Sequence, residues 1–236
     1  MSRQRPGKKT GPKPQFSADD VVRCALAEGL DRFTIAQVAS HLGVVPSAVY
    51  RHVRNRDDIV MRALAYVAAQ LQLPDANGSW QEILRQMVDS IWELYARYRG
   101  LGTVIVQTPG AHVHMQRYIN DLVALLLKAD FPGDRGRALF AIDFLADITA
   151  GTALFMEHYE LEDDQGRSGY DRAQAIFADS TWMPADLEPV YPPDPSWHNR
   201  GFLHQKVDFI IEALQTLPPS REYDREMPRQ GTGDGN

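Results

Sequence analysis

Tyr50, Arg51, His52, Arg54 and Arg56 stand within seven residues of one another, in the stretch GVVPSAVYRHVRNRDD (43–58). Side chains of these kinds can hold the phosphates of a nucleic-acid backbone. Arginine offers a planar fork of donors to phosphate oxygens, and tyrosine a ring and a hydroxyl. Just before them Pro46, Ser47 and Ala48 are small enough to let a helix end approach base edges. There Pro46 and Ala48 can touch thymine methyls, and Ser47 can bond to several bases. Asp57 and Asp58 read most simply as acidic partners of a helix N-terminus. The charge distribution supports this reading. The 236-residue chain has a formal charge of -6, yet residues 1–62 carry 11 Lys/Arg against 6 Asp/Glu, a net of +5. The remainder carries 14 against 25, a net of -11. A basic head on an acidic body directs a polyanion to the head alone.

A second set of residues could bind a small molecule. Asp143 and Asp147 lie one helical turn apart in the apolar run ALFAIDFLADITAGTALF (138–155), and His158 follows. Trp92, Tyr95, His112, His114 and Tyr118 fall in neighbouring segments. An apolar cavity with a few convergent polar groups is the usual form of a small-molecule site. Two other readings stay open: the rings as plain core, and the aspartates on a solvated or dimer-facing side. His112-x-His114 invites a metal, but helical residues two apart point about 200° apart. Ligand pairs on a helix want spacings of three or four. No metal or other cofactor is expected. No enzyme is expected either, because no nucleophile–base pair, phosphate loop or metal triad is recognisable.

Cys24 is the only cysteine, so no intramolecular disulfide can form. A reducing cytosol suits such a chain, with Cys24 as a small buried hydrophobe. MSRQRPGKK (1–9) leads into no apolar run of the signal-peptide kind. Asp143 and Asp147 argue against a membrane span over 138–155. A cytoplasmic protein with no membrane partner is expected.

Helices must position these residues, and the periodicity predicts an all-α fold. Residues 1–15 hold five basic residues and no acid, the composition of a flexible cationic arm. Ser17 and Thr34 each start a capping-box pattern, and Gly29 and Gly43 supply stops. Residues 16–54 therefore read as a helix-turn-helix head, with helix 34–42 followed by a short helix 46–53. In that motif the second helix enters the major groove while the first crosses the backbone, so Thr34 and Gln37 can also reach phosphates. Asn55 caps a connecting helix over 55–72. Residues 73–219 form a larger helical body, with helices predicted at 79–100, 112–129, 135–160 and 199–217, and a short one at 171–179. Residues 220–236 are polar and glycine-rich and are expected to be disordered.

TIAQVASHLGVVPSAVYRHVRNRDDIVMRAL (34–64) resembles the DNA-binding module of the tetracycline-repressor (TetR) family. Tyr50-x-His52-Val53, followed by a basic residue, Asn55 and a basic residue, is especially similar to the tetracycline repressors proper. The likeness covers residues 16–67. It implies a homodimer formed largely by helices 135–160 and 199–217, a ligand pocket in each body, and repression relieved by ligand. Val45-Pro46-Ser47-Ala48 departs from the tetracycline repressors, so their operator does not carry over. No tetracycline–magnesium site is recognisable. The expected function is a ligand-responsive dimeric repressor that binds a palindromic double-stranded DNA operator and is released by a small-molecule effector of unknown identity. Helix 55–71 is the expected lever between ligand and head. The alternative is an activator, or a constitutive DNA-binding regulator without a ligand.

Overall fold

The computed structural model describes residues 16–179, 181, 184, 186–187, 192–195 and 200–216. The predicted arm at 1–15 and tail at 220–236 lie outside them. All-α is borne out: helices α1 (Ala18–Glu28), α2 (Ile35–His41), α3 (Pro46–Val49), α4 (Arg56–Ala68), α5 (Trp80–Arg97), α6 (Leu101–Gln107), α7 (Gln116–Lys128), α8 (Arg135–Glu160), α9 (Gly169–Ala178) and α10 (Leu203–Thr216), with a 3-10 turn at Ala111–Met115. The described residues contain no strand.

Side-chain caps set most of the helix starts. The Ser17 hydroxyl accepts from Asp20 N–H while the Asp20 carboxylate accepts from Ser17 N–H, a reciprocal capping box. Thr34 and Gln37 form the same box on α2, and Ser168 and Asp171 on α9. Asn55 and Asp134 cap α4 and α8 by accepting from Asp58 and Arg137 N–H. Each such cap is worth about 1 kcal/mol. The recognition segment is tighter than predicted. Regular α-helix ends at Val49, and bonds from Arg51 N–H to Ala48 O (3.2 Å) and from His52 N–H to Val49 O (2.9 Å) carry the turn on to Val53. Helix α6 is absent from the sequence prediction. Its Gly102 and the β-branched run Val104-Ile105-Val106 read poorly as helix, and packing decides the matter, since Leu101, Gly102 and Val104 are buried.

The chain forms two compact units. One comprises residues 16–70 and 97–114, the other 71–96 and 115–216. In the first, α1 packs against α2 and α4, and α2 against α3. Val21, Ala25, Leu30, Phe33, Val38, Val49, Ile59 and Ala63 are all but solvent-free there. The segment after α5 is stitched to this head. Leu30 N–H donates to Arg99 O (2.9 Å), and the Gln70 side chain accepts from Arg97 (3.2 Å) and Tyr98 Oη (2.9 Å).

In the second unit α8 packs against α7, α9 and α10. Its core gathers Ile83, Leu84, Met87, Leu122, Leu126, Leu145 and Leu203, with Trp80 edge-on to Phe131. Helix α8 is the one described helix long and apolar enough to cross a membrane, with a mean hydropathy of 1.6 over its best window. It behaves as a core helix on one side: Ala138, Ala141, Ile142 and Leu145 are buried in this unit. The other side exposes Phe140 and Phe155 beside Asp143 and Asp147.

Gly100 ties the stitch together. Its φ is 76°, and a Cβ there would collide with the Asp31 carboxylate and lie 2.6 Å from the Asp31 nitrogen. Gly100→Ala is expected to lower stability by about 1–3 kcal/mol. Equilibrium urea unfolding followed by circular dichroism checks it, an unchanged midpoint being the contrary result.

Candidate nucleic-acid interface

The helix-turn-helix is built from the bottom by small determinants. Gly43 takes φ 67° and Val44 N–H donates to Ala39 O (2.9 Å), turning the chain out of α2. Pro46 then opens α3 at a position where no intrahelical donor is required. Val49 and Val53 are buried, and this fixes which side of the segment faces out. Pro46, Ser47, Tyr50, Arg51 and Arg54 are exposed, while Ala48 is half-buried. Tyr50 is 53% exposed, unusual for so large a ring.

The basic residues have different surroundings. The Arg51 side chain has no ion-pair or hydrogen-bond partner among the described residues, so its guanidinium is available. The Arg54 side chain is 86% exposed and only grazes Asp58, at 3.5 Å. His52 is half-buried and packs its ring on Phe16, centroids 4.5 Å apart. Thr34 and Gln37 are exposed, but their side chains already bond to each other and to the α2 N-terminus. Arg56 is an exposed residue, but its guanidinium lies back on the turn between α1 and α2. Its Nη2 donates to Asp31 O (2.7 Å) and Leu30 O (3.2 Å), its Nε lies 3.5 Å from Phe33 O, and its Cζ sits 4.6 Å from the Phe33 ring centre.

Asp58 is the hub beneath these arginines. Its carboxylate accepts from Arg54 N–H (2.9 Å) and from Arg62 Nε (3.1 Å), and its residue is 8% exposed. The Arg54 amide holds this carboxyl below its ordinary value of 3.8, and Arg62 adds to the effect. Sequence reading gave Asp58 its helix-terminus role but not its part in shaping the turn from α3 to α4.

The body candidates divide. Trp92 and Tyr118 pack against the second unit's core, and Tyr95 lies near enough to Asp147 to feel its charge. The Tyr118 Oη is buried without a hydrogen-bond partner. Burial pushes the Tyr118 and Tyr95 hydroxyls up to about 12, so both stay protonated donors. His112 and His114 are exposed and fall with the head unit, not the body. Asp143 is exposed, and so is His158, whose Nδ1 lies 2.8 Å from Leu154 O. Among the described residues no three His, Cys, Asp or Glu side chains gather as a metal ion would need.

Sequence reasoning missed a charged cleft of about 320 Å³ between α5 and α10, lined by Arg85, Val88, Asp89, His204, Val207 and Asp208. Its ions are paired internally. Arg85 bonds Asp208 (2.9 Å), while Arg200 bonds Asp89 and stacks over Trp92. These pairs join residues more than a hundred positions apart, and no local pattern announces them.

An exposed helix-turn-helix on an all-helical chain with a separate helical body defines a class of regulator fold, and comparison with known proteins agrees. The actinorhodin complex of ActR, a TetR-family protein from Streptomyces coelicolor, superposes with a TM-score of 0.60 at 23% identity, covering 85% of this chain and 95% of ActR. The transcriptional repressor DrrR1 of Streptomyces coeruleorubidus is 31% identical over 94 residues, 37% of this chain and 35% of the repressor. A helix-turn-helix-type transcriptional regulator of Saccharopolyspora erythraea is 28% identical over 101 residues, 37% of this chain and 43% of the relative. The chain thus matches less than half the length of each of these two relatives. No protein-family model matches it. The resemblance to TetR-family regulators is borne out to this extent: ActR, a TetR-family protein, shares the fold, and the two sequence relatives are helix-turn-helix-type transcriptional regulators.

The hub makes a pH dependence. A carboxyl held low in the folded state stabilises fully above the unfolded value of 3.8, and that contribution is lost as pH falls through the lower folded value. Asp58→Asn is expected to cost about 1–2 kcal/mol at pH 7. The gap to the unaltered protein should close below about pH 4. Urea unfolding of both proteins from pH 7 to pH 2.5 measures it, and a gap that stays constant with pH would count against the hub.

Proposed function

We propose that this chain is a dimeric transcriptional repressor that reads a palindromic DNA operator with α3 and its following turn and releases it when a small molecule binds the body. The observation that carries the reading is the exposed edge formed by Ser47, Tyr50, Arg51 and Arg54, at the position where a helix-turn-helix meets a duplex. Ser47, Ala48, Pro46 and Tyr50 face base edges. Arg51 and Arg54 take phosphates, with His52, Thr34 and Gln37 at the margins. The protein works in the cytoplasm, where its DNA lies.

What α8 and α10 leave uncovered supports homodimerisation. Phe140 is 59% exposed, Phe155 48% and Phe209 70%. Large apolar rings left exposed on two helices favour a partner that covers them. A second copy, related by a two-fold axis, supplies that cover and places the recognition segments about 34–36 Å apart. For the effector, the buried, unpartnered Tyr118 hydroxyl is the favoured donor, with Trp92, Tyr95 and Asp147 as further candidates and Asp143, His112, His114 and His158 less favoured. ActR was solved with actinorhodin bound, and a ligand in the corresponding body suits this chain. The effector must bind the released and operator-bound states unequally; a coupling of 1–3 kcal/mol changes operator affinity about 5–150-fold.

Selection from random duplex DNA tests the reading. A palindrome with half-sites about one turn apart is expected. The log-affinity for it should fall against log salt by about 0.9 per phosphate neutralised, and Arg51→Gln should reduce that slope by about 0.9. Weak binding without sequence preference would overturn the repressor reading. For the dimer, Phe209→Asp and Phe140→Asp are expected to shift sedimentation from dimer to monomer mass. A monomeric unaltered protein at micromolar concentration would refute the interface.

A further inference from the structure

Among the arginines of the recognition region, Arg56 alone has its guanidinium committed to the protein's own backbone. The carbonyls of Leu30, Asp31 and Phe33 form the turn between α1 and α2, and none of them accepts a backbone N–H among the described residues. Arg56, entering α4 at its first position, supplies donors to all three from one planar fork and rests on the buried Phe33 ring. The same turn is held from its other side by Arg99, whose carbonyl takes the Leu30 N–H, and by the close approach of Gly100 to Asp31. Thr34, the cap of α2, follows directly.

We infer that Arg56 is a positioning residue, a clamp that fixes the α1–α2 turn, and with it the start of α2, relative to the recognition segment, and that it takes no phosphate. This rests on the DNA-binding reading above and sharpens it by separating two kinds of arginine within six residues. Arg51 and Arg54 act on DNA directly, and Arg56 acts through the turn. The two roles make different demands on chemistry. A phosphate needs positive charge, and lysine supplies that nearly as well. Three carbonyls and a ring face need a broad planar fork, which lysine lacks.

The test uses the full chain and its selected duplex, with Arg56→Lys, Arg56→Gln and, as reference, Arg51→Gln. Affinity is measured across a salt series, and amide hydrogen exchange of residues 29–34 is followed without DNA. The clamp predicts that Arg56→Lys loses affinity about tenfold at every salt concentration, the order expected from losing one or two hydrogen bonds. It also predicts that Arg56→Gln keeps the unaltered salt slope, whereas Arg51→Gln loses about 0.9. The Leu30 and Phe33 amides should exchange faster in both Arg56 variants. Full affinity in Arg56→Lys together with a slope reduced by about 0.9 in Arg56→Gln would overturn the proposal and make Arg56 a phosphate contact. Failure of the unaltered protein to bind any duplex would instead refute the DNA-binding reading, and the exchange measurement would then decide the clamp by itself. Should Arg56→Gln not fold, Arg56→Lys carries the same decision.

Discussion

Three carbonyls in one turn, with no backbone amide to answer them, set the terms for the head of this molecule. Leu30, Asp31 and Phe33 leave α1 and enter α2 through a sharp bend that points their oxygens toward the start of α4. An unanswered carbonyl in a packed setting costs about 1–3 kcal/mol, and Leu30 and Phe33 are buried, so a donor group that reaches their oxygens stabilises the bend. Arg56 is that group, and the helix it opens is held in turn by Asn55 and Asp58. The orientation of α2, the exit of the recognition segment and the first turn of α4 are thereby settled together.

Much of this architecture was legible in the sequence, because capping chemistry is local. Ser17, Thr34 and Asn55 each announced a helix, and the structure starts α1, α2 and α4 beside them. Gly29 and Gly43 marked stops for an equally local reason, their positive φ. Helix α6 was missed since its β-branched run argues for strand, and only its burial overrides that preference. The candidate site was legible in composition but not in direction. Five residues from Tyr50 to Arg56 formed one group by type and spacing; all but His52 are exposed, and what separates Arg56 is that its guanidinium bonds carbonyls more than twenty residues earlier. Tyr118 posed a similar problem, since nothing in a sequence tells whether a buried hydroxyl will find an acceptor.

The body follows a different logic. Its core is a conventional apolar cluster, and its two buried threonines are satisfied within α8, Thr149 to Leu145 O at 2.6 Å and Thr152 to Ile148 O at 2.7 Å. What distinguishes it is the outer side of α8, where Phe140 and Phe155 flank Asp143 and Asp147. A purely apolar strip would associate with any greasy surface. Aspartates within the strip penalise partners that leave a carboxylate buried and unpaired, so the strip favours a matched surface over an indiscriminate one. The same carboxylates make the helix a poor membrane span despite its length.

The stitching of Arg97, Tyr98 and Arg99 into the head has a consequence for how the chain comes into being. The first 70 residues contain the whole reading motif, yet their last hydrogen-bond partners are encoded about thirty residues further on. On a ribosome adding about 5–20 residues per second, the motif emerges and then waits several seconds for its final seam. During that interval the turn at 29–33 lacks its Arg99 acceptor and the Gln70 side chain its Tyr98 donor. The newborn head thus lacks this seam until the whole of α5 has been made.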